Sequence, residues 1–329
     1  MTWLVTGGAG YIGAHVVRAL AADGRRVRVL DDLSSGHREF VPGDVPLVEG
    51  SVTDPGALAA ALAPDAGGPV EGVVHLAAFK YAGVSVERPL HTYEQNVVGT
   101  MRLLAAMSAA GVDRLVFSSS AAVYGTPDAD LVTEDTPTRP ESPYGESKLA
   151  GEWLIRDVAR AGGRLRHTSL RYFNVVGSAH PELYDSSPHN LFPLVLRAIG
   201  EGSRPRILGT DHPTPDGTAV RDYVHVGDVA RAHAAAAAAL LAGHDLAPAY
   251  NLGSGTGLSV REVVAVLLAA TGSDLVPELG PRRPGDPARI VASGEAAARD
   301  LGWSPATPVT EMAASAWRAW QVATTPTTD

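Results

Sequence analysis

The sequence predicts an α/β protein built on a doubly wound parallel sheet, with a smaller α/β lobe toward the C-terminus. Three observations carry that prediction. Short β-rich runs alternate with helical patterns through the first half of the chain, the signature of βαβ units. A glycine-rich turn, TGGAGYIG at 6–13, directly follows the first such run. The alternation then breaks after residue 174, where Pro, Gly, Asp and His crowd residues 175–225. A chain of 329 residues fits one large α/β unit or two packed ones.

Taken in order, WLVT (3–6) predicts a strand and Tyr11–Ala22 a helix. VRVLD (27–31) and VPLVEG (45–50) are strand-like, and Pro55–Leu62 is helical. GVVHLAA (72–78) predicts a buried strand, 94–110 a long helix, RLVFSSS (114–120) a strand and 143–161 a helix. RLRHTSLRYFN (164–174) closes this region. Right-handed crossovers between these strands generate the doubly wound sheet. Beyond it, Leu191–Gly200, 226–241 and Val260–Thr271 predict helices, AYNLGSG (249–255) a strand and turn, and PRRPGD (281–286) a polar loop. Residues 1–174 form the expected nucleotide-binding region, which 226–256 rejoins, and 175–329 supply most of the smaller lobe. The ATTPTTD tail is expected to fray.

Composition excludes several classes. Hydrophobic residues at 45% and charged residues at 19% describe an ordered chain. A net charge of −9 argues against a nucleic-acid binder, which needs a basic stripe. The absence of cysteine rules out disulfides, thiolate metal sites and a Cys nucleophile, and no metal site is expected. The first residues, MTWLVTGG, lack the pattern of a signal peptide. The longest apolar run, AAAAAALLA at 234–242, is too short for a membrane span and suits a closely packed helix. A soluble, cytoplasmic protein without membrane or nucleic-acid partners is the expectation.

Gly7, Gly10 and Gly13 are spaced GxxGxxG between the first strand and the first helix. Such glycines permit a tight turn and let a pyrophosphate approach the helix N-terminus, as in the Rossmann dinucleotide fold. Asp31, 18 residues beyond Gly13, ends the second strand. A carboxylate there accepts hydrogen bonds from adenosine ribose hydroxyls and repels a 2′-phosphate. Asp32 follows and no Arg stands beside the pair, so NAD is favoured over NADP.

Only two lysines occur, Lys80 and Lys148, against 25 arginines (27 − 2). Lys148 lies four residues after Tyr144 in ESPYGESK (141–148), where Ser142 suits an N-cap and Pro143 the first helical position. Tyr144 and Lys148 therefore share one helix face. A free phenol titrates near ~10, and a neighbouring ammonium together with a cationic nicotinamide favours the phenolate. An ordinary surface pair is a poor alternative: nine tyrosines and two lysines in 329 positions give roughly 0.05 such pairs by chance. Ser120 ends the preceding strand, at the edge where ligands sit in such sheets, within reach of Tyr144. No Asp or Glu lies between 113 and 128.

Together the glycine turn, Asp31, Ser120 and the Tyr144–Lys148 pair resemble the extended short-chain dehydrogenase/reductase superfamily. The runs HLAAFKYAGVSV (75–86), NVVGT (96–100), RYFNVVG (171–177), PTPDGTAVRDYVHVGDVA (213–230), YNLGSGTG (250–257) and PRRPGD (281–286) resemble the UDP-glucose 4-epimerase family across essentially the whole chain. The resemblance implies a 4-epimerase of a nucleotide-diphosphate hexose that passes through a 4-keto sugar, and a homodimer joined through helices near 94–110 and 144–161. It gives Tyr144 the role of base, Ser120 a hydrogen bond to the sugar 4-oxygen, and Lys148 the nicotinamide ribose. Besides the three glycines, Asp31 and Asp32, the implied cofactor contacts are Tyr11, Ile12, Ser34, Ser35, Gly36, Ser51, Val52, Leu76, Ala77, Ala78, Lys80, Asn96, Ser118, Tyr144, Lys148 and Phe173. The implied substrate contacts are Lys80, Ser120, Tyr144, Asn174, Asn190, Leu191, Leu208, Arg221, Tyr223, Arg283 and Asp286, the two arginines suiting a diphosphate.

Three positions depart from the family pattern. Ser51 replaces an Asp that contacts adenine, a contact expected either to weaken or to pass to Asp54. Ile290 occupies the position that governs whether an N-acetyl sugar fits, and Arg206 stands where a smaller residue is usual near the nucleoside. UDP-glucuronate and UDP-N-acetylhexosamine epimerases therefore remain alternatives. A dehydratase requires an Asp–Glu pair beside the serine, which SSSAAVYG lacks. A non-catalytic NAD-dependent sensor is expected to lose the Tyr or Lys that this chain keeps.

Overall fold

The computed structural model describes residues 2–283 and 286–325. Pro284 and Gly285 of the PRRPGD loop, and the last four residues of the ATTPTTD tail, lie outside the described residues.

Hydrophobic β-rich runs with no polar alternation must be covered on both faces, and that sets the central layer. Strand β1 (Thr2–Thr6) is buried at every residue and leads into helix α1 (Tyr11–Ala22) and β2 (Arg26–Asp31). Then follow β3 (Leu47–Glu49), α2 (Pro55–Leu62), β4 (Val70–His75), α3 (Ala82–Glu87), α4 (Pro89–Tyr93) and α5 (Gly99–Ala110). The cofactor-type half closes with β5 (Arg114–Ser118), α6 (Pro143–Gly162) and β6 (Arg166–Tyr172). Next come β7 (Asn174–Val176), α7 (Leu191–Gly200), β8 (Arg206–Leu208), β9 (Val220–His225), α8 (Val226–Ala242) and β10 (Ala249–Leu252). The chain ends with β11 (Gly257–Ser259), α9 (Val260–Thr271), β12 (Glu278–Gly280), β13 (Arg289–Ile290), α10 (Glu295–Leu301) and α11 (Val309–Thr324).

Seven strands form one sheet in the order β10-β6-β5-β4-β1-β2-β3, and every pairing is parallel. The order reverses between β1 and β4, and the crevice at the carboxyl ends of those strands is where ligands bind in such sheets. One face packs Val16, Val17 and Leu20 of α1 against the alanines of α8, with Ala297 and Trp303 beyond them. The other packs Leu58 of α2, Leu103 and Met107 of α5 and Ile155 of α6. A smaller sheet, β11-β9-β13 with β7 alongside β9, joins a third core made by α7, α9 and α11.

The strand predicted over 114–120 stops at Ser118, and helices α10 and α11 have no predicted counterpart. Two further differences have a visible hydrogen-bond context. The strand predicted over 72–78 stops at His75, because the amides of Leu76 and Ala77 both turn to the carbonyl of Thr6, at 3.0 and 3.1 Å. The helix predicted over 94–110 opens with a π-helical stretch, Glu94–Val98, before α5. That wider turn holds Asn96, which accepts from the Phe79 amide at 2.7 Å and donates to the Phe79 carbonyl at 3.0 Å.

Candidate active site

The turn after β1 is built for close approach. Gly7 has φ +73°, and a Cβ there would stand 2.6 Å from the Ala77 nitrogen. A Cβ on Gly13 would stand 2.0 Å from the Gly7 carbonyl oxygen, so the loop and the first turn of α1 cannot coexist with a side chain there. Gly10 caps α1 without a side chain, leaving the helix N-terminus open to an anion.

Asp31 is buried at the end of β2, and its two oxygens accept the amides of Ala9 and Leu33, both at 2.9 Å. Burial pushes its carboxyl up, opposed by those amides and by Lys80. A carboxylate offers about four acceptor sites, so capacity remains for ribose hydroxyls. Asp32 instead accepts the Ser34 amide and hydroxyl, at 3.0 and 2.6 Å. Ser51 bonds Thr53 at 2.9 Å, while Asp54 is committed to capping α2 through the Gly56 amide at 2.8 Å. Asp54 does not line the cavity. The expectation that Asp54 inherits the adenine contact is therefore corrected.

Helix α6 starts as its sequence dictates. Ser142 accepts the Gly145 amide at 3.2 Å and Pro143 takes the first helical position. Tyr144 and Lys148, one turn apart, are both buried, with Lys148 Nζ 6.0 Å from the Tyr144 ring centre. Lys148 Nζ donates to the Ser118 carbonyl at 2.8 Å and lies 5.1 Å from the Phe117 ring centre. The Ser120 hydroxyl accepts the Ala122 amide at 3.1 Å and lies near the Tyr144 phenol. Burial pushes the Tyr144 phenol up, with the neighbouring Ser120 hydroxyl opposing. Burial likewise lowers Lys148 to about 8, opposed by the Glu152 carboxylate. Among the chain's own groups, desolvation of the phenolate therefore dominates at Tyr144.

At the far end, Arg221 pairs with Asp286 and donates to the Val220 carbonyl at 2.8 Å. Asn174 of β7 pairs in register with the buried Tyr223 of β9, whose phenol burial raises. Asn190 precedes α7 and donates to Asp185 at 2.7 Å. Ile290 pairs with Arg221 across β13 and β9, and its side chain packs against the cluster of Val123, Tyr124 and Leu149.

One cavity of about 1770 Å³ joins these regions. It is lined by every residue predicted from sequence for cofactor or substrate except Asn96 and Ser118, and also by Arg206 and Ile290. Those two exceptions stand behind the wall. Asn96 donates to Ser147 at 2.8 Å, one residue before Lys148, and Ser118 holds Lys148 through its carbonyl and His233 through its hydroxyl at 2.7 Å. Phe79, Tyr81, Tyr172, Asp185 and His189 also line the cavity. Sequence reasoning missed them because they lie in loops or at strand ends with no spacing signal, although Phe79 and Tyr81 flank Lys80. Among the described residues no group of His, Asp or Glu is placed to hold a metal ion, and no helix is long and apolar enough to cross a membrane.

A parallel sheet of this order, with an anion-ready glycine turn and a Ser–Tyr–Lys cluster at its carboxyl edge, defines an extended short-chain dehydrogenase/reductase scaffold. Residues 3–253 match the NAD dependent epimerase/dehydratase family. The chain is 46% identical over 309 residues to a UDP-glucose 4-epimerase of Corynebacterium glutamicum, covering 93% of this chain and 91% of the relative. It is 38% identical, with a TM-score of 0.91 over 98% of both chains, to a Stenotrophomonas maltophila UDP-glucose 4-epimerase solved with NAD and formylated UDP-arabinopyranose. It is 35% identical, with a TM-score of 0.89, to the Bifidobacterium longum enzyme in complex with NAD+ and UDP, covering 98% of this chain and 99% of that one. The chain belongs to the UDP-glucose 4-epimerase family.

Proposed function

We propose that the protein is an NAD-dependent 4-epimerase interconverting UDP-glucose and UDP-galactose. The observation that carries this reading is one continuous cavity lined alike by Asp31 and the glycine turn, by Ser120, Tyr144 and Lys148, and by Arg221 and Arg283. The donor set fits NAD: Gly7 and Gly13 leave space no side chain could share, Asp31 retains acceptor capacity, and Lys148 Nζ spends one of its three donors on Ser118. Held by the glycine turn, Asp31 and Lys148, NAD would supply the hydride acceptor and donor for the sugar C4.

The chain's own residues manage the proton. Tyr144 Oη accepts the proton of the 4-hydroxyl as hydride leaves C4, and gives it back when hydride returns, so the cycle closes without net change. Ser120 holds the same 4-oxygen by hydrogen bond. Lys148 would hold the cofactor ribose, and its charge would favour the ionised Tyr144. Arg221 and Arg283 hold the diphosphate, where guanidinium forks match phosphate oxygens. The run SSSAAVYG carries no Asp–Glu pair after Ser120 for elimination, which favours epimerisation over dehydration.

The test is incubation with UDP-galactose, followed by chromatography of products and absorbance for NADH. UDP-glucose without net NADH is expected. NAD-loaded protein that converts neither UDP-glucose, UDP-galactose, UDP-N-acetylglucosamine nor UDP-glucuronate would sink the reading and favour a sensor.

The same reading includes a cytoplasmic homodimer. Helices α5 and α6 leave Met101, Trp153 and Val158 exposed at 51%, 49% and 39%, and burying such side chains against a second copy is favourable.

A further inference from the structure

The run FSSS (117–120) ends β5 with three consecutive serines whose partners differ. Ser118 holds Lys148 by its carbonyl, and Ser120 reaches Tyr144. The middle hydroxyl, on Ser119, donates at 2.5 Å to Glu152 Oε1. Glu152 follows Tyr144 and Lys148 at i+8 and i+4 on α6, so all three share one helix face. Its carboxylate also receives Arg171 of β6 in a fork, Nε to Oε1 at 2.9 Å and Nη2 to Oε2 at 2.5 Å. Both side chains are about nine-tenths buried. Arg171 Nη1 then donates to the Tyr124 hydroxyl at 2.8 Å, and that hydroxyl donates to Asn251 of β10 at 2.8 Å. One carboxylate therefore ties the catalytic helix to the ends of β5 and β6, and through Arg171 to β10.

Nothing in the proposed chemistry uses this group. We infer that Glu152 is a positioning residue for the Ser120–Tyr144–Lys148 centre, fixing the serine edge against the helix face through Ser119 and Arg171 and keeping the Lys148 head charged. The kinetic part of the inference rests on the epimerase reading. Geometry supports the first role: shifting the Ser118–Ser120 edge moves the carbonyl that holds Lys148 and the hydroxyl that meets Tyr144 together. Electrostatics supports the second. Lys148 stands at about 8, with burial lowering it and Glu152 opposing. The other titratable groups facing this pair add little cationic support. His75 on β4 and His233 on α8 are held neutral by burial at about 3 and 4. Tyr144 and Tyr172 are buried phenols pushed up, His167 on β6 is lowered by burial, and Arg171 is committed to the Glu152 fork.

Glu152→Gln and Ser119→Ala separate the two roles. For Glu152→Gln, kcat is expected to fall roughly ten- to a hundredfold with KM nearly unchanged, and the alkaline limb of kcat to move to lower pH. Ser119→Ala keeps the charge, so kcat should fall while the alkaline limb stays in place. A readout independent of turnover comes from the chain's two lysines: lysine-specific 13C labelling gives two side-chain signals, assigned with Lys80→Arg. The Lys148 titration should move to lower pH in Glu152→Gln and stay put in Ser119→Ala. A Glu152→Gln protein with an unmoved Lys148 titration overturns the charge role, and unchanged kcat in Ser119→Ala overturns the positioning role. If Glu152→Gln fails to fold, Glu152→Asp replaces it: the charge role then requires a Lys148 titration near wild type, and a clear shift overturns it. A wild type that converts no sugar defeats the epimerase reading instead, and the lysine titration still decides whether Glu152 acts on Lys148.

Discussion

Tyr144 and Lys148 are buried in the free protein, and burial works against both charge states their chemistry uses: the phenol is pushed up and the ammonium down to about 8. The pair is therefore poised rather than already ionised, and a cationic nicotinamide shifts the balance only where it is needed. Tyr144→Phe should lower kcat roughly 10²–10⁴-fold while NAD stays bound, as measured by turnover and by cofactor released on denaturation. Unaltered turnover would remove Tyr144 from the base role. Lys148→Arg should also lose most activity, because a planar guanidinium is too broad for a slot between the Ser118 carbonyl and the Phe117 ring. At this scale the sequence was legible where spacing encodes contact: Tyr144 with Lys148, or Gly7 with Gly13. It was silent on Ser119 and Glu152, because a bond between a strand end and a helix 33 residues on leaves no local trace.

Among the elements, long amphipathic helices and fully apolar strands announced themselves, and their observed bounds lie close to those read from pattern. What escaped were pieces two to six residues long, such as β7, β13 and α3, which are too short to show a period and owe their conformation to their neighbours. The C-terminal helices α10 and α11 also went unassigned from pattern. The π-helical stretch was equally hidden, since no spacing in Glu94–Val98 marks it off from an ordinary helix. Helices α5 and α6 carry the proposed contact between copies. Light scattering should give twice the chain mass of 34.1 kDa, and Trp153→Glu should shift the population toward monomer, because a buried unpaired carboxylate is costly. A wild-type protein that scatters as a single chain would end that proposal.

Across the whole molecule, burial sets a pH limit. His15 and His75 are lowered to about 3 and His233 to about 4 from an ordinary 6.5, and His167, His180 and His225 are lowered as well, all first by desolvation. In each case the unfolded chain binds a proton at a pH where the folded one does not. Their contribution is fully present above 6.5 and drains away as pH falls toward those lowered values. Asp31 and Asp222, raised by burial, pull the other way. Melting temperature should hold steady from pH 8 to 6.5 and then decline, so a curve flat down to pH 5 would contradict the assignment of neutral histidines.

The strand order carries one further consequence, for synthesis. The apolar stripe of α1 is covered by α8, more than 200 residues later, and β6 gains its outer neighbour only at β10. A ribosome therefore releases most of the cofactor half well before the parts that cover it. Until residue 252 has emerged, the nascent sheet has an unpaired edge and an open greasy face, which is the interval when a chaperone has most to protect.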